Sequence, residues 1–348
     1  MTETYHVRSS QQESIAIERA AEVLRRGGLV AFPTETVYGL GANALDPKAV
    51  ARIFAAKGRP ANNPLIVHVA SVDQARDLAA KWPETARRLA ARFWPGPLTL
   101  VVAKRPIVPG MVTAGAATVG LRIPAHPVAR ALIDAARVPI AAPSANRSNE
   151  VSPTTAEHVL KGLGAEVDIV LDGGRTSGGL ESTVLDLTFD PPRLLRPGLV
   201  TPAEIERVIG PIQRAAAVPA DQLQPLASPG QLPRHYAPRA AMECCAGDGR
   251  ARVAALARAG VRVGWLALAA GNSVTVSSGW KAPGEGEELP PGVKIIPMPV
   301  APADYATQLY AALHALDDSG VERIIVDLPP DSEPWLAIRD RLRRGSVG

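Results

Sequence analysis

The sequence predicts an α/β fold in two domains joined by a proline-rich connector, on three observations. Short apolar runs alternate with segments that carry helix-capping signals, the pattern of strands interleaved with helices. Between residues 213 and 239 this alternation gives way to Ala, Pro and Gln with little periodicity, which marks a linker. At 348 residues the chain is long enough to bury a core on each side of it. The expected boundaries are a first domain over 1–212, a linker and lid over 213–240, and a smaller second domain over 241–348.

The first domain begins with a polar segment, 1–12, that lacks the apolar stretch of a signal peptide. Residues 14–26 read as a helix with Ile17, Ala20, Ala21 and Leu24 on one face, stopped by Gly27-Gly28. A buried strand over 29–32 then runs into Pro33-Thr34-Glu35-Thr36-Val37-Tyr38-Gly39-Leu40-Gly41, which is too polar and glycine-rich to read as core. Hydroxyls and a carboxylate past a strand end are where open α/β sheets place ligand groups, although a capped turn would use the same residues. Asp46 caps a helix with Pro47 at its first position, running to about residue 56.

That helix delivers the loop Lys57-Gly58-Arg59-Pro60-Ala61-Asn62-Asn63-Pro64. A lysine point charge and an arginine fork two residues apart, followed by two amides, suit a polyanion such as a triphosphate. An ordinary basic loop is the alternative. A strand over 65–69 follows, then helices capped at Ser71 and starting at Pro83, and Trp94-Pro95-Gly96-Pro97 turns the chain into a strand over 98–102.

Residues 119–124 form the next strand, with Arg122 among apolar neighbours. A buried arginine is costly unless paired, so Arg122 has either an internal carboxylate partner or an anionic ligand. A helix over 127–136 and a strand over 139–142 lead to Pro143-Ser144-Ala145-Asn146-Arg147-Ser148-Asn149, small polar groups able to offer hydroxyls and N–H donors to phosphate. Ser152, Pro153 and Thr154 enter another helix. Strands over 168–171, 181–187 and 193–196 follow, and Thr201 with Glu204 caps a helix ending near Gly210. The linker closes on Arg234-His235-Tyr236-Ala237-Pro238, ligand-capable residues that fit a lid or, equally, a stiff hinge. In the second domain strands are expected over 261–268, 293–297 and 323–328, with helices near 250–259, 304–316 and 333–344 and helices on both faces of the sheet. No Gly-x-Gly-x-x-Gly fingerprint or phosphate loop occurs there.

Hydrophobic residues make up 46% and charged residues 21% of the chain, with a net charge of +4. This is compatible with phosphate-bearing ligands but far from a protein that coats nucleic acid. The two cysteines, Cys244 and Cys245, are neighbours without metal-ligand spacing, so a reducing cytoplasmic compartment is expected, with no protein-held metal and no membrane span.

Taken together, Pro33-Thr34-Glu35-Thr36-Val37-Tyr38-Gly39-Leu40, Lys57-x-Arg59, Pro143-Ser144-x-Asn146, Glu181-Ser182-Thr183 and the linker His235-Tyr236-Ala237-Pro238 resemble the YrdC-type family in its long, two-domain form, the L-threonylcarbamoyladenylate synthases of tRNA modification. The resemblance covers nearly the whole chain. It implies a YrdC-like twisted mixed sheet with a positively lined concave face, and a Rossmann-like C-terminal domain. The implied reaction joins L-threonine, bicarbonate and ATP into threonylcarbamoyl-AMP and pyrophosphate, with Mg²⁺, for N6-threonylcarbamoyladenosine at position 37 of tRNA. By resemblance, Lys57, Arg59, Ser144 and Asn146 form the catalytic set. Arg59, Asn63, Thr118, Ser144, Ser152, Arg196 and Tyr236 would bind ATP. Thr36, His68, Arg122, the backbone at Ala142, and Ser182 would hold L-threonine, with Arg122 on its carboxylate. The expected partner is the transferase machinery that acts on tRNA.

This chemistry suits the inventory, because attack of a threonine carbamate on the α-phosphorus relies on positioning and charge neutralisation, not on a protein nucleophile. Glu35 could assist orientation. Two rivals stand beside this reading: a basic face that binds double-stranded RNA, at least weakly, and a carbamoyl-adenylate activity fed by carbamoyl phosphate.

Overall fold

The apolar runs of the first part of the chain pair into one mixed sheet. The computed structural model describes residues 2–7, 10–214, 228–230, 234–268 and 292–346. The chain divides into two units, Met1–Ser148 with Ser152–Pro233, and Asn149–Val151 with Arg234–Gly348.

The first unit carries strands β1 (Glu3–His6), β2 (Val30–Phe32), β3 (Gly39–Asn43), β4 (Ile66–His68), β5 (Leu98–Ala103), β6 (Thr118–Arg122), β7 (Ile140–Ala141), β8 (Ile169–Asp172), β9 (Thr183–Asp186), β10 (Arg193–Arg196) and β11 (Gln213–Arg214). Their order across the sheet is β1-β8-β2-β3-β7-β4-β6-β5-β9-β10-β11. Its helices are α1 (Ser10–Arg25), α2 (Pro47–Lys57), α3 (Val72–Leu78), α4 (Glu84–Phe93), α5 (Pro127–Ala136), α6 (Ala156–Leu163) and α7 (Pro202–Ile209).

Strand periodicity sorts the core. Leu29 and Ala31 point into one cluster with Val50, Ile53 and Val159, whereas Val30 and Phe32 point into the other with Leu24, Leu132 and Ile133. The central strands are therefore buried on both faces, under α2 and α6 on one side and α1 and α5 on the other. Beyond them, Leu98, Leu100 and Leu185 pack on α4 and α7. The opposite face of those strands presents a separate small cluster of Ile66, Val101, Val184 and Leu195.

Two strands of this sheet depart from the sequence expectation. β1 has no apolar run because it is an edge strand, mostly exposed, whose register is supplied by parallel pairing with β8 alone. β3 covers Gly39-Leu40-Gly41, expected as loop, and is buried through most of its length. Its glycines reflect close approach instead of flexibility: a Cβ at Gly41 would lie 2.8 Å from both Ile140 Cγ2 and Phe32 Cε1. At the other end of the unit, Gln213–Arg214, where the linker is expected to begin, still pair with β10. Most of that linker, 215–227 and 231–233, lies outside the described residues.

The second unit is a parallel sheet of β12 (Ala241–Ala246), β13 (Val263–Leu268), β14 (Lys294–Met298) and β15 (Arg323–Leu328), ordered β12-β15-β13-β14. Helices α8 (Arg250–Arg258), α9 (Pro302–Asp318) and α10 (Leu336–Ser346) complete it. Trp265 packs with Val253 of α8, while a Cβ at the neighbouring Gly264 would meet Leu316 of α9, so helices cover both faces as expected. The sequence reading did not include β12, a half-exposed edge strand with Glu243 and two cysteines in its middle. At the C-terminal strand ends, where open α/β sheets bind ligands, the Asp327 carboxylate accepts N–H groups from Gly249 (2.8 Å), Leu268 (3.0 Å) and the Trp265 indole (2.8 Å). Those are donors a phosphate would need. Among the described residues no helix is long and apolar enough to cross a membrane.

Gly41→Ala should lower the unfolding free energy by about 1–3 kcal/mol, the usual cost of overpacking a filled core. Chemical denaturation checks it, and an unchanged midpoint would contradict the close packing of β3 on β7.

Candidate functional site

Helix α2 ends on Gly58, whose left-handed φ of 60° turns the chain so that Lys57 and Arg59 enter the protein. Both are buried, at 3% and 8% exposure. The Lys57 ammonium donates to the Ser144 carbonyl at 2.7 Å and to the carbonyl of Asn146, with the Asn146 Oδ1 at 3.4 Å. The structure thus joins Lys57, Ser144 and Asn146, expected to act together, but commits the lysine donors to the loop's own carbonyls. Arg59 folds back on Asn63, with Nε to its carbonyl at 3.0 Å and Nη2 to its Oδ1 at 2.7 Å, and Nη2 also reaches the Pro64 carbonyl at 2.6 Å. This fixes the Asn63 amide and leaves its buried Nδ2 without an acceptor among the described residues. A buried donor left in that state is stabilised by a ligand acceptor.

The second group forms where β4 and β6 lie side by side, with His68 and Arg122 in register. Arg122 answers the question its burial posed: it has an internal carboxylate. Its Nη2 is 2.6 Å from Glu35 Oε1 and 3.0 Å from Thr36 Oγ1, and its Nε donates to the Gly96 carbonyl at 3.2 Å. Thr36 is held in turn by Thr34, Oγ1 to Oγ1 at 2.7 Å. Burial tends to raise the Glu35 pKa, but the charge and hydrogen bond of Arg122 and the Ala125 N–H outweigh it, so the carboxyl is held below its usual range. His68 is likewise driven below its ordinary value, to about 3, by burial and then by the Arg122 charge. It is a neutral imidazole whose Nδ1 has no partner among the described residues, with Phe32 packed edge-on at 6.3 Å. Ala142 lies alongside, its N–H spent on the Ile66 carbonyl at 2.9 Å, so its carbonyl is the backbone group left for a ligand.

A third group is built on β9 and β10. Ser182 Oγ meets Thr99 Oγ1 at 2.8 Å and accepts from Arg196 Nη2 at 3.2 Å, while Arg196 Nε donates to the Ser182 carbonyl at 3.1 Å. Arg196 is 4% exposed and has no carboxylate partner among the described residues. Ser152 donates to Glu181 Oε1 at 2.5 Å. A narrow cleft on this face is lined by Pro64, Thr99, Thr118 and Ser228 together with Ile66, Val101 and Val184.

The groups are tied together by main chain. The 143–146 loop bonds back to the 36–40 segment, through Ala145 N–H to the Tyr38 carbonyl at 2.8 Å and Leu40 N–H to Pro143 at 2.8 Å. The turn at 96–97 carries both the carbonyl that holds Arg122 and the one that accepts the Thr183 N–H at 2.9 Å. Tyr236 is not among them: it lies in the second unit with φ 60°, stacked on Tyr310 at 6.0 Å with the Arg341 guanidinium 4.9 Å over its ring. Thr99 and Ser228 were missed by the sequence reading as site residues. One hydroxyl inside the apolar run Leu98-Thr99-Leu100-Val101-Val102 was the available signal for the first.

Comparison with known proteins adds a family assignment. Residues 22–198 match the Sua5/YciO/YrdC family model, described as telomere recombination, and residues 200–346 match one described as the threonylcarbamoyl-AMP synthase C-terminal domain. A threonylcarbamoyl-AMP synthase of Pyrococcus abyssi is 45% identical over 96% of this chain and 95% of its own. One from Bacillus subtilis is 44% identical over 95% and 93%. A solved structure of P. abyssi Sua5 complexed with L-threonine superposes with a TM-score of 0.88 at 41% identity, covering 99% of this chain and 97% of that one.

The buried imidazole makes stability depend on pH. His68 titrates near 3 in the folded chain against 6.5 ordinarily, so the unfolded chain takes up the extra proton in that interval and stability falls as pH drops from 6.5 towards 3. Burial lowers His126 as well, which acts in the same direction, while Glu35 contributes only below 4.5. His68→Asn should therefore reduce the slope of unfolding free energy between pH 6.5 and about 5, by up to about 1.4 kcal/mol per pH unit, without removing it. Denaturant titrations across that range measure it, and an unaltered slope would contradict a neutral, buried His68.

Proposed function

Because the chain belongs to the Sua5/YciO/YrdC family, we propose that it is a threonylcarbamoyl-AMP synthase that converts L-threonine, bicarbonate and ATP into L-threonylcarbamoyl-AMP and pyrophosphate. The observation that carries the reading is Arg196, a buried cation without a carboxylate partner among the described residues, held against Ser182. A charge in that state is costly unless an anion meets it.

The chemistry follows from the groupings. The threonine amine, once deprotonated, adds to bicarbonate-derived carbon to give the carbamate, with loss of water. A carbamate oxygen then attacks the α-phosphorus of ATP, forming the P–O bond as the bond to pyrophosphate breaks. Arg122 takes the amino-acid carboxylate, and Thr36, His68, the Ala142 carbonyl and Ser182 surround the rest of it. A neutral His68 can exchange hydrogen bonds with a hydroxyl without adding a charge. Arg59, Asn63, Ser144, Ser152 and Arg196 receive the nucleotide, with Thr118 on the cleft wall, and Lys57 and Asn146 set the loop beneath the phosphates. Catalysis here is positioning and charge neutralisation. Magnesium would arrive bound to ATP and help neutralise the phosphate charge.

The product serves N6-threonylcarbamoyladenosine formation on tRNA through a transferase that accepts it. Two free thiols, Cys244 and Cys245, agree with a reducing, cytoplasmic setting. We extend the reading to a catalytic first domain over 1–212, a lid over 213–240 and a second domain over 241–348.

Pyrophosphate release from ATP should require both L-threonine and bicarbonate, with an AMP-linked product by mass spectrometry. Release indifferent to threonine would point to another carbamate, and no release would favour the nucleic-acid reading. Arg196→Met should lower kcat/KM for ATP by about 100-fold while leaving the melting temperature unchanged or higher, since it removes an uncompensated buried charge. A variant with full activity would remove Arg196 from the site.

A further inference from the structure

Glu35 has no part in the reaction as written, yet it is the carboxylate beside Arg122. Its side chain is 14% exposed and anchored at both oxygens, by Arg122 Nη2 at 2.6 Å and the Ala125 N–H at 2.9 Å. Its own carbonyl accepts the Gly178 N–H at 2.7 Å. Held at three points from two stretches of the chain, 122–125 and 178, it is a fixed wedge and not a swinging gate.

The consequence falls on Arg122. An arginine commonly grips a carboxylate through two parallel donors on one edge. Here Nε is spent on Gly96, and Nη2 is shared between Glu35 and Thr36. Nη1 donates no hydrogen bond to any described residue. We propose that Glu35 is a positioning residue for substrate selection: by closing the Nε/Nη2 edge of Arg122 it fixes the plane of the guanidinium and directs the carboxylate of an incoming amino acid to Nη1. The same negative charge disfavours a second substrate carboxylate nearby, which selects amino acids with uncharged side chains over aspartate or glutamate. This inference rests on the assignment of Arg122 to the amino-acid carboxylate.

Steady-state kinetics of Glu35→Gln, Glu35→Asp and Arg122→Gln test both layers. Glu35→Gln should raise the threonine KM about ten-fold, with a smaller effect on kcat and none on the ATP KM. It should also narrow the preference for threonine over aspartate. Glu35→Asp keeps the charge with one methylene less and should recover part of the threonine KM; should the glutamine variant fail to fold, this variant alone must show a raised threonine KM beside an unmoved ATP KM. A threonine KM that stays the same or falls in Glu35→Gln would overturn the role of Glu35, as would a parallel loss in both KM values. If Arg122→Gln raises the threonine KM and Glu35→Gln does not, only the present inference fails. If Arg122→Gln leaves it unmoved, the underlying assignment fails instead.

Discussion

An arginine with 3% of its surface exposed cannot be left uncompensated, and the first unit is arranged around solving that for Arg122. The solution draws on two parts of the chain: the Glu35 carboxylate and Thr36 hydroxyl from the segment after β2, and the Gly96 carbonyl from the turn before β5. Each brings other parts of the site with it. Gly178 bonds to the Glu35 carbonyl, and Thr183 bonds to Pro97 next to Gly96, which sets Ser182 and through it Arg196. His68, in register with Arg122 on the adjacent strand, is kept neutral partly by that same charge. One ion pair therefore fixes the loops on which the proposed substrate contacts sit.

The remaining cations are treated differently, and the difference orders the site. Lys57 meets carbonyls of the 144–146 segment, Arg59 grips Asn63 and Pro64, and Arg196 meets a hydroxyl and carbonyls. Neutral acceptors fix these side chains without cancelling their charge, so the field over the cleft stays positive where phosphates would lie. At Arg122 a carboxylate offsets the charge, and Nη1 alone is left without a partner among the described residues. The arrangement is preorganised for a polyanion beside a zwitterion.

How much of this could be read from the sequence depends on whether the signal was local. The Lys57–Asn63 loop was legible because cations, glycine, proline and amides crowd into seven residues, and Arg122 because it interrupts an apolar strand. The open alternatives at Arg122, internal partner or ligand, required the fold, since Glu35 is 87 residues away. β3 was misjudged because its glycines signal tight packing against Phe32 and Ile140, a tertiary property. β1 and β12 were invisible for the opposite reason: edge strands need only one partner and carry polar residues. That the Lys57 donors turn inward to carbonyls could not be read from composition at all.

The central claim is that Arg122 Nη1 and Asn63 Nδ2, donors without a partner among the described residues, exist to meet substrate. A crystal structure with L-threonine and a non-hydrolysable ATP analogue tests it most directly. The account predicts the threonine carboxylate on Arg122 Nη1 with the Glu35–Arg122 pair intact, and a nucleotide phosphate within hydrogen-bonding distance of Asn63 and Arg196. Ligands bound elsewhere, or Glu35 displaced from Arg122 by the threonine carboxylate, would contradict it.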